Sequence, residues 1–583
     1  MKPATLVANL GTSDLTVKLD GFEYFFPVLF ERKEPNLILP ELGSDLAAAW
    51  EQSVNFTQEV LCSELDYQPE NGKVSFREVT RRLLQAFTDQ PEEWGDRIRP
   101  GRIWGVIEKA QSDFQVERVY LFVTNQSPPH HQDTVYLGEI LKAWFGWKLG
   151  HALDIQLQPI PQTLLPVDQD DLFNYYYKFF RETAPASGKL LVSIKGGTPQ
   201  MQNALRIQAI TATTQVALFV EPRLAVADVL EGQPSACRID SYWRSMRNQT
   251  YQSVELLLKS RWDFDGAISL LEFWKGTLDE LVQDGIEIEA VKASQQQLGQ
   301  IITGLNIGLE CLNLDQTQAQ SRLLNPSDPK LRPSINIDNL ILEPHYSALL
   351  NLFTHCRIFW QLNRISDFVS RLASFYKETL CQLVQCLNGE RFMERSRNQH
   401  QPLSWRLDKR TFMKANGGSL WQEFERLQLE EFSNASRQLA EETIPLQSRP
   451  IKSNFVRSLL LTTSREKQVH GQDVLVRLRK LDYWCLIRND LIHGSEGISK
   501  TRLQKQLDED RKNTRDARRR EAAQAACNAE WSEFEFVFEQ ICFSPLNLIP
   551  ANLSQRYARS DESYIYDPIR TWAIAQLEKE SRQ

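Results

Sequence analysis

Short apolar runs alternate with helical stretches up to about residue 230, which is the rhythm of a sheet interleaved with helices. Ala4-Thr5-Leu6-Val7-Ala8-Asn9-Leu10 predicts a buried strand that ends at Gly11-Thr12-Ser13-Asp14. Val116 to Val123 predicts a second, running out into Thr124-Asn125-Gln126 and then a helix from about Thr134 to Trp147. Leu190-Leu191-Val192-Ser193-Ile194 is a third strand and Val216 to Val220 a fourth, while Gly21 to Pro40 reads as an added hairpin. Continuous apolar strands between helices predict a doubly wound α/β domain with a parallel sheet covered on both faces.

From Tyr242 onward the period changes. Val254 to Leu258, Ala267 to Trp274 and Leu281 carry helical spacing, and strand-like alternation largely disappears from there to residue 583. Pro326 to Pro333 predicts a loop or insertion, followed by another helical layer from His345 to Leu387. Lys500 to Ala526 is densely charged and reads as a solvated helix, with an RNA-contacting surface as the other reading, because acids are interspersed among its arginines.

The strands starting at Ala4, Val116 and Leu190 each end in small or polar residues, the place where open α/β sheets bind ligands. The third is the sharpest. Lys195-Gly196-Gly197-Thr198-Pro199 joins strand to helix, with Thr198 suited to cap the helix and Pro199 to its first turn, so that backbone N–H groups point at whatever lies over the glycines. An anion is the natural occupant. A tight βα turn with no ligand is the other reading. The first loop holds only Gly11 and lacks GxGxxG, and no GxxxxGK[ST] follows a strand, so neither a dinucleotide fingerprint nor a P-loop is present; the missing glycines and the absent acid partner for a ribose count against a Rossmann oxidoreductase.

In the helical half, Arg488-Asn489-Asp490-Leu491-Ile492-His493 interrupts a segment that is otherwise apolar nearly all round. Leu481, Tyr483, Trp484, Cys485, Leu486 and Ile487 precede it and Gly494 follows, which predicts a buried helix ending at the glycine. At about 100° per residue Asn489 and His493 share a face one turn apart, and Arg488 stands roughly 140° from His493, within reach of a long guanidinium. The constellation suits a phosphodiester, since histidine moves protons at neutral pH and arginine holds two phosphate oxygens as charge develops on them. The same residues also fit a plain helix end, with histidine favoured by the dipole and arginine paired to an acid elsewhere. A second Arg-x4-His pattern, Arg395 to His400, lies in a polar run ahead of Pro402 and reads as a solvated loop.

Composition narrows the class. A chain of 583 residues exceeds one core, and 42% hydrophobic with 24% charged residues is ordinary for a globular protein. A net charge of -8 argues against a surface that wraps nucleic acid throughout and leaves room for a local basic groove. The nine cysteines never form CxxC, which points to a reducing cytoplasm. Met1-Lys2-Pro3 leads straight into a strand with no signal peptide expected, and no apolar window is long enough for a membrane span. His130-His131-Gln132-Asp133 lacks further spaced ligands and reads as an exposed loop, so no metal site is expected.

Taken together, the Lys195-Gly196-Gly197-Thr198-Pro199-Gln200-Met201 turn, the polar Thr124-Asn125-Gln126 strand end, the helical middle and the C-terminal Arg488-x4-His493 with Asn489 resemble the CRISPR-associated CARF/HEPN ribonucleases of type III systems. The resemblance implies an α/β Rossmann-like sensing domain over residues 1–240, a helical linker domain over 241–385 and an all-α HEPN ribonuclease domain over 386–583. It implies that Gly11, Thr12, Asn125, Gln126, Lys195, Gly196, Gly197 and Thr198 bind a cyclic oligoadenylate, with cyclic tetra-adenylate favoured over cyclic hexa-adenylate, and that no cofactor is needed. It further implies a homodimer in which two copies of Arg488, Asn489 and His493 form a composite, metal-independent nuclease site for single-stranded RNA. There the 2'-hydroxyl attacks the adjacent phosphate to leave a 2',3'-cyclic phosphate, Arg488 stabilises the pentacovalent phosphate, His493 carries or positions the proton, and Asn489 orients one of them. The alternative is a regulator that binds the ligand and recognises a partner or nucleic acid without cleaving it; no winged-helix or helix-turn-helix signature near the C-terminus supports it.

Overall fold

In a computed structural model, residues 2–29, 44–149, 153–183, 188–211, 216–223, 225–324, 338–342, 345–395, 403–433, 435–494 and 499–582 are described, except for a few side chains within them. Residues 1–249 with 276–292 form one compact unit, and residues 250–275 with 293–583 form a second.

The first unit is built on a six-stranded sheet. Its strands are β1 (Pro3–Asn9), β2 (Gln115–Val123), β3 (Asp154–Pro159), β4 (Lys189–Ser193), β5 (Ala217–Pro222) and β6 (Cys237–Asp240), in the spatial order β3-β2-β1-β4-β5-β6. All neighbours run parallel except β5 and β6. The central β1 pairs Leu6 with Val119 on one side and with Leu191 on the other. The order therefore reverses at β1, between β2 and β4, which is the switch point of a doubly wound sheet. Five helices matter for the site: α1 (Phe76–Asp89), α2 (Gly101–Asp113), α3 (Val135–Leu149), α4 (Gln169–Lys178) and α5 (Pro199–Thr211). Leu172 and Tyr176 of α4 and Met201 and Leu205 of α5 share a buried core with Val7, Phe122 and Val192. On the opposite face Gly138 of α3 lies against Val123 and Leu157, a contact that leaves no space for a β-carbon.

The four expected parallel strands are present. Two more were not expected. β3 reads Asp-Ile-Gln-Leu-Gln-Pro at the sheet edge, where only Ile155 is fully buried, so its pattern is too polar to stand out. β6 is a short antiparallel edge strand. Of the expected Gly21 to Pro40 hairpin, Phe26–Pro27 pairs with Thr16–Val17, which also pairs with Ile98–Arg99; residues 30–43 lie outside the described residues.

The second unit is helical. Its principal helices are α6 (Ala348–Gln361), α7 (Ile365–Cys386), α8 (Arg449–Leu460), α9 (Arg465–Gly494), α10 (Lys500–Asn513), α11 (Ala517–Ala525), α12 (Trp531–Cys542) and α13 (Tyr566–Ser581). In α6, buried residues run without a break from Leu349 to Trp360, as a helix packed on all sides requires. Phe534 of α12 meets Trp360, Phe368 and Trp484 ring to ring. The C-terminal half is helical as expected from the sequence, with one small addition: Met393–Arg395, Leu403–Asp408 and Thr443–Pro445 form a three-stranded antiparallel sheet. These strands are too short to show a period of two. The predicted Pro326 to Pro333 loop and residues 396–400 of the Arg395 to His400 run lie outside the described residues. Among the described residues no helix is long and apolar enough to cross a membrane, and the nine cysteines are free thiols.

Candidate functional site

Two sites are treated separately, one in each unit. In the first, Gly11, Asn125 and Lys195 follow the carboxyl ends of β1, β2 and β4, three adjacent parallel strands. Gly11 and the Gly196-Gly197 turn touch backbone to backbone: a β-carbon on Gly11 would stand 3.0 Å from Gly196 Cα and 3.1 Å from Gly197 N. Gly196 has φ 106° and Gly197 φ 69°, the left-handed region that favours glycine. A β-carbon on Gly196 would also stand 2.6 Å from the Asn9 carbonyl oxygen and collide with the Arg102 guanidinium. Thr198 Oγ1 accepts the Met201 N–H at 3.2 Å, donates to the Pro166 carbonyl, and so caps α5 as the sequence predicts. Gln202 Nε2 donates to the Gly197 carbonyl at 3.3 Å. Lys195 has no ion pair among the described residues and is partly exposed at the turn.

Beneath the glycines lies a buried ion pair that the sequence did not reveal. Arg102 of α2 grips Asp14 with two nitrogens, Nε to Oδ1 at 2.5 Å and Nη2 to Oδ2, with side-chain exposures of 1% and 0%. Asp14 Oδ2 also accepts the Gly11 N–H at 2.7 Å, and Arg102 Nη2 donates to the Asn9 carbonyl at 3.3 Å. Burial raises the Asp14 carboxyl above its ordinary range even though Arg102 and the Gly11 N–H pull the other way. One cluster thus fixes both glycine loops. Asn9 Oδ1 accepts from the Tyr176 hydroxyl at 2.8 Å, while Asn9 Nδ2, Arg102 Nη1 and Ser193 Oγ are buried with no partner among the described residues. Asn9 and Asp14 lie two and three residues from Gly11, and that proximity is the local signal they carry; Arg102 sits in an ordinary amphipathic run and carries none.

Asn125 and Gln126 stand one strand over, but their observed partners are structural. Asn125 Oδ1 accepts from Arg77 Nη1 at 2.9 Å, and Gln126 donates to Asp133 through its N–H (3.1 Å) and Nε2 (3.3 Å). Asp133, fully buried, also accepts from Arg77 and the His130 N–H, while His130 and His131 are exposed. Asp133 therefore folds this loop. Thr12 opens the single turn Thr12–Asp14 next to Gly11. No group of three or more His, Cys, Asp or Glu among the described residues has the arrangement of a metal site.

In the second unit, α9 runs 30 residues from Arg465 to Gly494 and ends at the glycine as predicted. Leu481, Tyr483, Trp484, Cys485 and Ile487 are buried, so the segment before Arg488 is enclosed nearly all round. Arg488 is partly buried near Cys485, whose thiol is pushed up to about 12, chiefly by burial. Asn489 and His493 lie on α9, but their side chains are outside the described residues. Asp490 is held by Arg519 Nη1 at 2.6 Å; Arg519 Nε also bonds Asp510 (2.7 Å), which accepts from the Tyr483 hydroxyl at 2.9 Å. Arg511 donates to the Ala523 and Ala526 carbonyls and to Asn528. Two arginines of the charged Lys500 to Ala526 segment thus brace the motif helix and its neighbours.

No family model and no curated protein matches the sequence. Among solved structures the chain is similar to Enterococcus italicus Csm6 bound to cyclic hexa-2'-fluoro-hexa-dAMP, with 13% identity and a TM-score of 0.45, covering 81% of this chain and 94% of that one.

Proposed function

We propose that this protein is a metal-independent endoribonuclease for single-stranded RNA, switched on by a cyclic oligoadenylate in type III CRISPR defence. The observation that carries the reading is the placement of Arg488, Asn489 and His493 on the last turns of α9 directly after a segment enclosed nearly all round. A guanidinium kept half-buried there is suited to the charge of a pentacovalent phosphate, and a histidine five residues on to moving the proton of the attacking 2'-hydroxyl. The nuclease function belongs to residues 386–583 and sensing to residues 1–240, joined by 241–385, in a cytoplasmic homodimer that brings two copies of the motif to one cleft.

The ligand reading is supported by the glycine turn at the switch point of the sheet. Backbone N–H groups of Gly196 and Gly197 and the ammonium of Lys195 are suited to the phosphates of the ring, while Gly11 and Thr12 form the facing wall. Asn125 and Gln126 complete the set from the neighbouring strand end. The test is incubation of the protein with single-stranded RNA and cyclic tetra-adenylate in EDTA. The reading requires activator-dependent cleavage leaving 2',3'-cyclic phosphate ends; binding of the ring with no cleavage would favour a non-catalytic regulator.

A further inference from the structure

Alongside the motif helix stand three arginines with too little negative charge between them. Arg449 opens α8, fixed there by the Ser448 cap and Pro450 in the first turn; Arg457 lies two turns on; Arg479 projects from α9. Asp482 lies 3.7 Å from Arg449 Nε, and the Arg449 guanidinium also lies over the Tyr376 ring at 5.6 Å. Asp482 offsets one guanidinium at most: burial pushes its carboxyl up to about 6 despite the hydrogen bond from Tyr376 and the facing Arg449 and Arg479, which leaves it mostly ionised at neutral pH. Glu431 also faces Arg457, and one of its oxygens is already taken by Asn454 Nδ2 at 2.7 Å. Arg457 and Arg479 make no hydrogen bond or ion pair with a described residue, and Arg449 Nε is buried without a hydrogen-bond partner. Arg457 loses proton affinity first to burial and next to the charge of Arg479. Guanidiniums left in this state favour an anion with several oxygens, and phosphate matches their forked donors.

The cluster is continuous with the proposed cleavage motif. Arg449, Asp482 and Arg488 all act on Cys485. Along α9, positions 489 and 493 return to within about 20° of Asp482, roughly 10 and 16 Å farther along the axis.

We infer that Arg449, Arg457 and Arg479 form a phosphodiester-binding track that leads the backbone of single-stranded RNA to the Arg488–His493 end of α9, an inference that rests on the ribonuclease reading. Binding to phosphates is sequence-independent and is weakened by salt.

The experiment measures binding of a fluorescent, 2'-O-methyl single-stranded RNA, which has no free 2'-hydroxyl to attack, by anisotropy across a salt series. Arg479→Glu, an exposed change that leaves the core intact, and Arg457→Gln are each expected to weaken binding about tenfold and to flatten the salt dependence, by a log–log slope of about 0.7 per lost contact. Arg449→Lys, which keeps the charge, is expected to lose less. Asp482→Asn is expected to tighten binding. Unchanged affinity and salt slope in Arg479→Glu and Arg457→Gln, or no binding by the wild type, would overturn the track. Wild-type binding that depends on these arginines, without cleavage of unmodified RNA, would support the track while refuting the nuclease reading.

Discussion

Replacing Arg102 by Met should be among the most damaging single changes in the first unit. The side chain is 1% exposed and its partner Asp14 0% exposed, so the substitution leaves a carboxylate buried without its cation. Breaking such a pair costs about 3–5 kcal/mol, whereas replacing both partners by apolar groups is often close to neutral. In this protein the double variant Asp14→Leu/Arg102→Met also strands the Gly11 N–H, which bonds Asp14 Oδ2 at 2.7 Å, so it should remain about 1–2 kcal/mol below wild type. Urea unfolding followed by tryptophan fluorescence reads this directly. With an m value of about 3 kcal/mol/M the single variant should shift the first unit's midpoint down by about 1–2 M, and the double should recover more than half of that. Because burial already raises the Asp14 carboxyl, it can escape part of the penalty by taking up a proton, and the deficit of Arg102→Met should be larger at pH 8 than at pH 5. An Arg102→Met protein that unfolds with the wild type, or a double variant as weak as the sum of the two singles, would refute the coupling.

Three further outcomes are expected. Arg488→Ala and His493→Ala should each lower RNA cleavage by on the order of 10² or more with unchanged circular dichroism, and EDTA should change little; loss of activity in EDTA would contradict the assignment. Gly196→Ala places a β-carbon 2.6 Å from the Asn9 carbonyl oxygen at φ 106°, so it should raise the activator concentration needed for half-maximal rate at least tenfold, read from the activation curve. His355, buried and bonded through Nε2 to the Tyr566 hydroxyl at 2.6 Å, is held down to about 3 by burial, from 6.5. It stays neutral when folded and takes a proton when unfolded, so stability should be full above pH 6.5 and fall by up to about 1.4 kcal/mol per unit as pH drops from 6.5 toward 3, a slope that His355→Gln should remove in urea midpoints taken between pH 7.5 and 5.

The sheet was legible because its inner strands are buried on both faces and so read as unbroken apolar runs, from Leu6-Val7-Ala8 to Leu190-Leu191-Val192. The edge strand at Asp154 was not, since a half-exposed strand with two glutamines resembles a loop. The glycine turn and the Thr198 cap could be read locally, because cap and turn chemistry depend on neighbours in sequence. The Arg102–Asp14 pair spans 88 positions, and no local rule connects them. The same holds for Arg449 and Arg457, which join Arg479 and Asp482 only after α8 packs beside α9. Asn125 and Gln126 were legible as polar residues at a strand end, whereas their partners Arg77 and Asp133 come from outside that strand end and were not.

The central claim is that a cyclic oligoadenylate held over Lys195 to Thr198 switches on cleavage by the Arg488–His493 end of α9. Moving a population from mostly off to mostly on requires about 5 kcal/mol of differential affinity between the resting and active forms, so the response should be steep enough to measure without ambiguity. The direct measurement is the RNA cleavage rate titrated with cyclic tetra-adenylate and cyclic hexa-adenylate, for the wild type and for Lys195→Ala. The account predicts strong stimulation by the four-membered ring at lower concentration than the six, and a curve for Lys195→Ala displaced to higher concentration with its plateau retained. A wild-type rate that stays flat with every ring, or identical curves for the two proteins, would contradict it.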